Sequence, residues 1–214
     1  MNTTERWIAA AGVLILLVYL TTATGLVTDT GRLTLVLVFA IGPGAIVGIL
    51  QIIDRLAPTT GPAVTRLCRT FLVTAFALFT LMIVVQQTVA MQLRDLRAAA
   101  PDAAAAQTLG LIYRGVNLVQ LGIDVTFDIF YCIGVIILAA AMFRHRDFGR
   151  LIGILGIVSG AGLLILNLAS FPYVPAESGL VDLGPVTGVW WLLVIVQMFR
   201  SRRRQPPEVA VAGS

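Results

Sequence analysis

The feature that most constrains this chain is a set of apolar runs, each long enough to cross a lipid bilayer. Residues 121–143 form one of them, and a helix needs about 20 apolar residues to cross a hydrocarbon core roughly 30 Å thick. The 214-residue chain is 58% hydrophobic and only 12% charged, whereas soluble domains carry about 25% charged residues. We therefore expect an all-α polytopic membrane protein, a bundle of transmembrane helices.

Six spans are predicted. They cover residues 7–27, 33–53, 70–91, 121–143, 151–171 and 184–199. Together they form a single domain, residues 1–204, followed by a disordered cytoplasmic tail, residues 205–214. We expect connections over residues 54–69 and 94–110, the second broken near Pro101 before a helix continues into span 4.

The first span has an alternative interpretation as a signal peptide. Thr22, Ala23 and Thr24 are small residues similar to a cleavage site. The apolar run before them is longer than a typical signal core, and the segment preceding it carries little positive charge. These features favour an uncleaved helix.

The arginines indicate the orientation. All 15 basic residues are arginine. With the N-terminus inside, eleven of them fall in cytoplasmic segments and four in external ones, which predicts that both termini are cytoplasmic. Because the arginines lie between apolar runs, we interpret them as topology signals and do not expect a nucleic-acid partner. The expected location is the plasma (inner) membrane of a bacterium, and candidate partners are the bilayer, a second copy of the chain or another membrane protein.

Polar side chains follow one another on one predicted face of span 4 and the segment before it. They stand at steps of four, three, four and four: Tyr113, Asn117, Gln120, Asp124 and Asp128. At about 100° per residue these steps keep them on one helix face. Hydrocarbon offers no hydrogen-bond partner, so this face must meet protein or water.

The two acids have two interpretations, and both stay open. Asp124 and Asp128 are helix neighbours whose ionisations should couple, an arrangement suited to carrying a proton or binding a cation. Alternatively, they hold helices together through hydrogen bonds worth roughly 1 kcal/mol each. Candidate partners in other spans are Gln86, Gln87 and Asn167.

Small residues mark predicted helix contacts. Gly44 and Gly48 stand four apart next to Pro43, which predicts a kink. Gly153, Gly156 and Gly160 give span 5 a narrow face that lets another backbone approach. We expect span 5 to be central in the bundle.

The candidate functions follow from what chemistry the chain offers. Two cysteines and one histidine predict no metal site, and no phosphate loop, HExxH, GxSxG or CxxC motif is present; we expect no cofactor. The first hypothesis is a non-enzymatic integral membrane protein acting through helix, partner or lipid contacts. The second is a small proton- or cation-coupled transporter using the acidic face of span 4. An intramembrane enzyme has the least support.

The second half of the chain also carries a family resemblance. It contains a basic turn at residues 143–150, a glycine-rich segment at residues 151–160 and a Trp-containing segment at residues 188–192. In this order the elements resemble a bacterial family of small multi-pass membrane proteins, domain-of-unknown-function family 4386. The resemblance covers roughly the last 90 residues. It implies a six-span architecture and no particular activity.

Overall fold

The computed structural model describes residues 32–173 and 175–202. Six α-helices cover most of this range: α1 (Arg32–Thr60), α2 (Pro62–Val84), α3 (Met91–Ala98), α4 (Ala103–Met142), α5 (Gly149–Ser170) and α6 (Gly184–Arg202). A π-helical segment, Val85–Ala90, joins α2 to α3, and a 3-10 turn, Pro175–Ser178, precedes α6. These residues contain no strand, so the prediction of an all-helical fold is confirmed for them. The predicted first span and the tail lie outside the described residues.

Three helices have the length and composition needed to cross a membrane. They are the continuous helix Pro62–Ala98 with 37 residues, Ala103–Met142 with 40 and Gly149–Ser170 with 22. The predicted spans 70–91, 121–143 and 151–171 coincide with the apolar parts of these helices. The final apolar helix, which begins at Gly184, is shorter.

The chain reverses direction between α1 and α2 at a single glycine. Gly61 has φ of 80°, a backbone conformation that glycine adopts without steric cost. Pro62 follows in the first turn of α2, where its missing N–H breaks no helix hydrogen bond. The prediction of a connection over residues 54–69 was therefore wrong: Pro58 lies within α1, and Gly61 alone separates two helices.

In the second predicted connection, residues 94–110, the break near Pro101 is confirmed, but the residues on both sides of that break are helical. Helix α3 ends at Ala98, and α4 begins after Pro101 and Asp102. The Asp102 side chain accepts a hydrogen bond from the Ala105 N–H at 2.8 Å. This N-cap satisfies one of the free donors of the first helical turn.

Helix α4 is the centre of the described bundle. It packs against α2 and α5 and also contacts α1 and α3, whereas α5 packs against α4 and α6. The expectation that span 5 is central was therefore wrong for the described helices. The reason is the length of α4, which presents one flank to the aromatic face of α2 and another to the glycine face of α5.

Helices α2 and α4 run antiparallel and are joined by aromatic contacts. The ring centroids of Phe79 and Phe127 are 5.2 Å apart, and those of Phe76 and Tyr131 are 6.1 Å apart. Further along, the Cys68 thiol lies 3.7 Å from the carbonyl oxygen of Gly134. A Cβ placed on Gly134 would come within 2.6 Å of Leu72, so this close approach requires glycine.

Helix α5 approaches its two neighbours through its glycines. A Cβ on Gly153 would lie 2.5 Å from the Phe143 ring, and one on Gly156 would lie 2.6 Å from both Ala139 and Trp190. Gly160 is less tight, with Val135 at 3.2 Å from the same constructed position. Such approaches strengthen van der Waals contact between apolar helices. In α1, Gly44 and Gly48 are half-buried, and a Cβ on Gly42 would collide with Thr80 of α2.

Candidate functional site

The acidic residues of α4 lie in its second half, where the helix meets α5. Asp124 and Asp128 are both half-buried. They are one turn apart, about 6 Å along the axis, and interact electrostatically. The predicted helix face thus carries two neighbouring carboxyl groups at the edge of the bundle interior.

Asp128 faces a polar residue of α5. The side-chain amide of Asn167 approaches the Asp128 carboxyl group closely enough to hydrogen-bond. Asn167 is completely buried, with 0% of its surface exposed. Of the candidate partners in other spans, Gln86, Gln87 and Asn167, only Asn167 interacts with Asp128 among the described residues.

The hydrogen bonding of Asn167 is incomplete. Its Nδ2 donates to the carbonyl oxygen of Leu163 at 3.1 Å. Its Oδ1 has no hydrogen-bond partner among the described residues. A buried acceptor left unpaired costs about 1–3 kcal/mol.

A third acid comes from the loop before α6. Asp182 is exposed and interacts electrostatically with both Asp124 and Asp128. Its Oδ1 accepts a hydrogen bond from the Gly184 N–H at 2.7 Å, which fixes the carboxylate at the start of α6. The sequence does not predict this third acid, because the proximity of Asp182 to α4 depends on how the loop folds back.

Below the acids, α4 is joined to α6 by two aromatic residues. The Trp191 indole N–H donates to the Tyr131 hydroxyl at 2.8 Å, and both side chains are buried. The neighbouring Trp190 donates to the carbonyl oxygen of Ile152 in α5 at 2.8 Å. The two indoles satisfy their N–H groups inside the bundle and fix α6 against both neighbours.

The other predicted site residues lie in the first half of α4 and in the π-helical segment. Tyr113, Asn117 and Gln120 are half-buried on α4. Gln86 and Gln87 are half-buried in the π-helical segment, a type of irregularity that often occurs at functional sites. Within the described part of the chain, no hydrogen bond joins these five side chains to Asp124 or Asp128.

The described residues contain no cluster of side chains that could bind a metal ion. No group of three or more histidine, cysteine or acidic side chains among them is placed to hold a metal ion. Cys68 and Cys132 are buried free thiols.

A second polar cluster, which sequence reasoning did not predict, lies at the opposite end of the bundle. The Arg55 guanidinium binds the Asp147 carboxylate at 2.5 Å, with 22% and 10% of the two side chains exposed. Gln197 of α6 donates to the carbonyl oxygen of Asp147 at 2.7 Å. This cluster links the end of α1, the loop after α4 and the end of α6, and Arg55 Nε is buried without a hydrogen-bond partner among the described residues.

His145 belongs to the same cluster. Burial lowers its pKa below the ordinary value of 6.5 and is the largest cause. The Asp147 carboxylate acts in the other direction, whereas the charges of Arg55 and Arg146 lower the pKa further. The neutral imidazole is therefore the favoured form in the folded protein.

Comparison with known protein families, with curated proteins and with solved structures finds no match for this chain. The resemblance to domain-of-unknown-function family 4386 stays a prediction.

Proposed function

We propose that the chain is an integral protein of a bacterial plasma membrane, with six spans and both termini in the cytoplasm. It acts through contacts with other helices, with lipid or with a partner, rather than through enzymatic chemistry. The observation that carries this proposal is the use of buried polar groups in contacts between helices. Trp190, Trp191 and Arg55 each bond to a different element, as expected for residues that hold a bundle together.

The charges at the two ends of the bundle support the orientation. Near the ends of α1, α4 and α6, seven exposed or half-buried arginines accompany two acids. The arginines are Arg55, Arg66, Arg69, Arg144, Arg146, Arg150 and Arg200, and the acids are Asp54 and Asp147. The loop between α5 and α6 carries Glu177 and Asp182 and no arginine. An arginine excess on one side is typical of the cytoplasmic face.

A second candidate function is proton- or cation-coupled transport through the acidic face of α4. The specific observation favouring it is the pairing of Asp128 with the buried Asn167, whose Oδ1 is unpaired. A residue that exists only to join helices would be expected to have its polar atoms satisfied. Binding and release of a proton at Asp128 would alternately provide and remove a donor at this position.

Infrared difference spectroscopy of the carboxyl stretch in bilayers, with Asp128→Asn as the reference, separates the two functions. Contact function predicts a carboxyl group that stays protonated across the accessible pH range, with only stability lost in the variant. Transport predicts reversible titration near neutral pH and a band shift when a cation is added. Proton flux into proteoliposomes would then be lost in Asp128→Asn and retained in the exposed loop variant Glu177→Gln.

A further inference from the structure

A small basic cleft lies between the end of α3 and the first half of α4. Its volume is about 140 Å³. It is lined by Arg97, Gln107, Gly110, Leu111 and Arg114. The cleft lies at least ten residues before Asp124 along α4, and among the described residues none of its side chains bonds to Asp128.

Two arginines from different elements converge on this cleft. The Arg97 guanidinium lies over Gly110, where a constructed Cβ would be 3.6 Å from both Cζ and Nε. Arg114 stands one helical turn after Gly110 and Gln107 about one turn before it, so all three lie on the same flank of α4. The Arg97 guanidinium is thus within ordinary van der Waals reach of this turn of α4.

The positive charge of the cleft has no protein counter-ion among the described residues. Arg97 and Arg114 form no ion pair with any described residue. Of the nearby acids, Asp95 pairs with Arg94 at 3.7 Å, and Asp102 caps α4. Two guanidinium groups at one cleft repel each other, and an anion between them removes that repulsion. Guanidinium groups bind the oxygens of phosphate through several directed N–H donors, and the Gln107 amide adds another donor.

The depth of the cleft indicates where such an anion comes from. This step rests on the membrane placement proposed above. If residues 121–143 cross the hydrocarbon, Arg114 lies about 10 Å beyond its edge by helix rise, where a long arginine side chain reaches lipid headgroups. Leu118 lies one turn nearer the hydrocarbon than Arg114 and is 63% exposed, so it offers apolar surface to the upper part of an acyl chain.

We propose that Arg97 and Arg114 form a phosphate-binding site that takes the phosphate of an anionic membrane phospholipid. Free inorganic phosphate shares the chemistry recognised here. The site differs from a diffuse basic surface because two residues on separate elements meet at one cleft. It is also distinct from the arginines at the opposite end of the bundle.

Native mass spectrometry of the full chain in detergent tests the proposal, with phosphatidylglycerol and inorganic phosphate as separate probes. The double variant Arg97→Gln/Arg114→Gln should lose phosphatidylglycerol affinity by about tenfold or more, because charge-assisted hydrogen bonds are lost. The control Arg94→Gln/Arg150→Gln removes the same charge from exposed positions and should change affinity less than about twofold. A second variant, Gln107→Glu, adds a competing carboxylate on an exposed helix surface and should weaken binding without disturbing the fold.

Each outcome decides the proposal. Equal lipid affinity in the wild type, the double variant and Gln107→Glu would overturn the site. Loss of inorganic phosphate binding with unchanged lipid binding would overturn the lipid assignment. If the double variant aggregates, the lipid affinity of Gln107→Glu decides: weaker binding supports the site, and unchanged binding overturns it. None of these measurements involves Asp128, so failure of the phosphate site and failure of the proposed function are told apart.

Discussion

The pKa of the histidine at the arginine-rich end depends on the residues packed around it. His145 is the only histidine in the chain, and 10% of its side chain is exposed. It sits beside Asp147, Arg55 and Arg146, and its pKa is lowered mainly by burial. Its protonation therefore opposes folding.

The first prediction concerns pH. The unfolded chain binds a proton at His145 as pH falls through about 6.5, whereas the folded protein resists it until lower pH. Linkage then requires that stability decreases as pH falls through this window and recovers as pH rises. Thermal unfolding in detergent between pH 5 and 8 should show this slope in the wild type and a weaker slope in His145→Gln. Identical slopes in the two proteins would contradict the lowered pKa.

Two glycines on α4 give a matched test of packing. Gly134 faces Leu72, and a Cβ there would lie 2.6 Å from the Leu72 Cδ2 and 3.3 Å from its backbone N. Leu72 is fully buried and has little room to move. A Cβ on Gly122 would meet nothing within 4 Å.

We predict that Gly134→Ala destabilises the protein by about 1–3 kcal/mol through overpacking. Gly122→Ala should be neutral or slightly stabilising, because alanine is the better helix former. Unfolding in mixed micelles with increasing SDS measures both. Equal stability of the two variants would show that α2 and α4 are not in the close contact described.

At the scale of helices, the Arg55–Asp147 pair connects three elements that are far apart in sequence. The carboxylate binds α1, and the carbonyl oxygen of the same residue accepts from α6. Another acid–arginine pair at the same end, Asp54 with Arg69, is about half-exposed on both sides. The two pairs differ in burial and in the number of elements that they join.

Asp147→Asn should therefore destabilise the bundle by roughly 2 kcal/mol or more, because Arg55 would keep its charge in a mostly buried position. Asp54→Asn should cost less than about 1 kcal/mol, as expected for an exposed pair. The same SDS titration compares them. A larger loss of stability in Asp54→Asn than in Asp147→Asn would contradict the conclusion that the Arg55–Asp147 pair contributes more.

The whole molecule has chemically different ends, which allows its orientation to be tested. Thr59 lies exposed at the arginine-rich end and Ser178 in the loop between α5 and α6. Both native cysteines are buried, so the background of thiol labelling should be low.

We predict that a membrane-impermeant maleimide labels Ser178→Cys in intact cells and labels Thr59→Cys only after the membrane is opened. This follows from the arginine distribution. The reverse pattern would invert the proposed orientation. Labelling of both variants in intact cells would contradict their placement on opposite sides of the membrane.

Much of the helical architecture could be predicted from local features of the sequence. The apolar runs predicted the three long helices, and Pro101 with Asp102 predicted where α4 begins. The predicted connection over residues 54–69 was wrong, because Pro58 lies inside α1 and that helix continues to Thr60. A proline near the end of a helix removes one hydrogen bond, and the remaining turns can still form.

The sequence by itself determined the helical class, the polar face of α4 and the uneven distribution of arginine, because these depend on composition and on residues a few positions apart. Only the tertiary structure decided which polar groups meet. Asp128 beside Asn167, Arg55 beside Asp147 and Trp191 beside Tyr131 are separated by 39, 92 and 60 positions. Such pairs depend on the register in which whole helices pack, and that register arises from the sum of many small contacts between side chains and glycines.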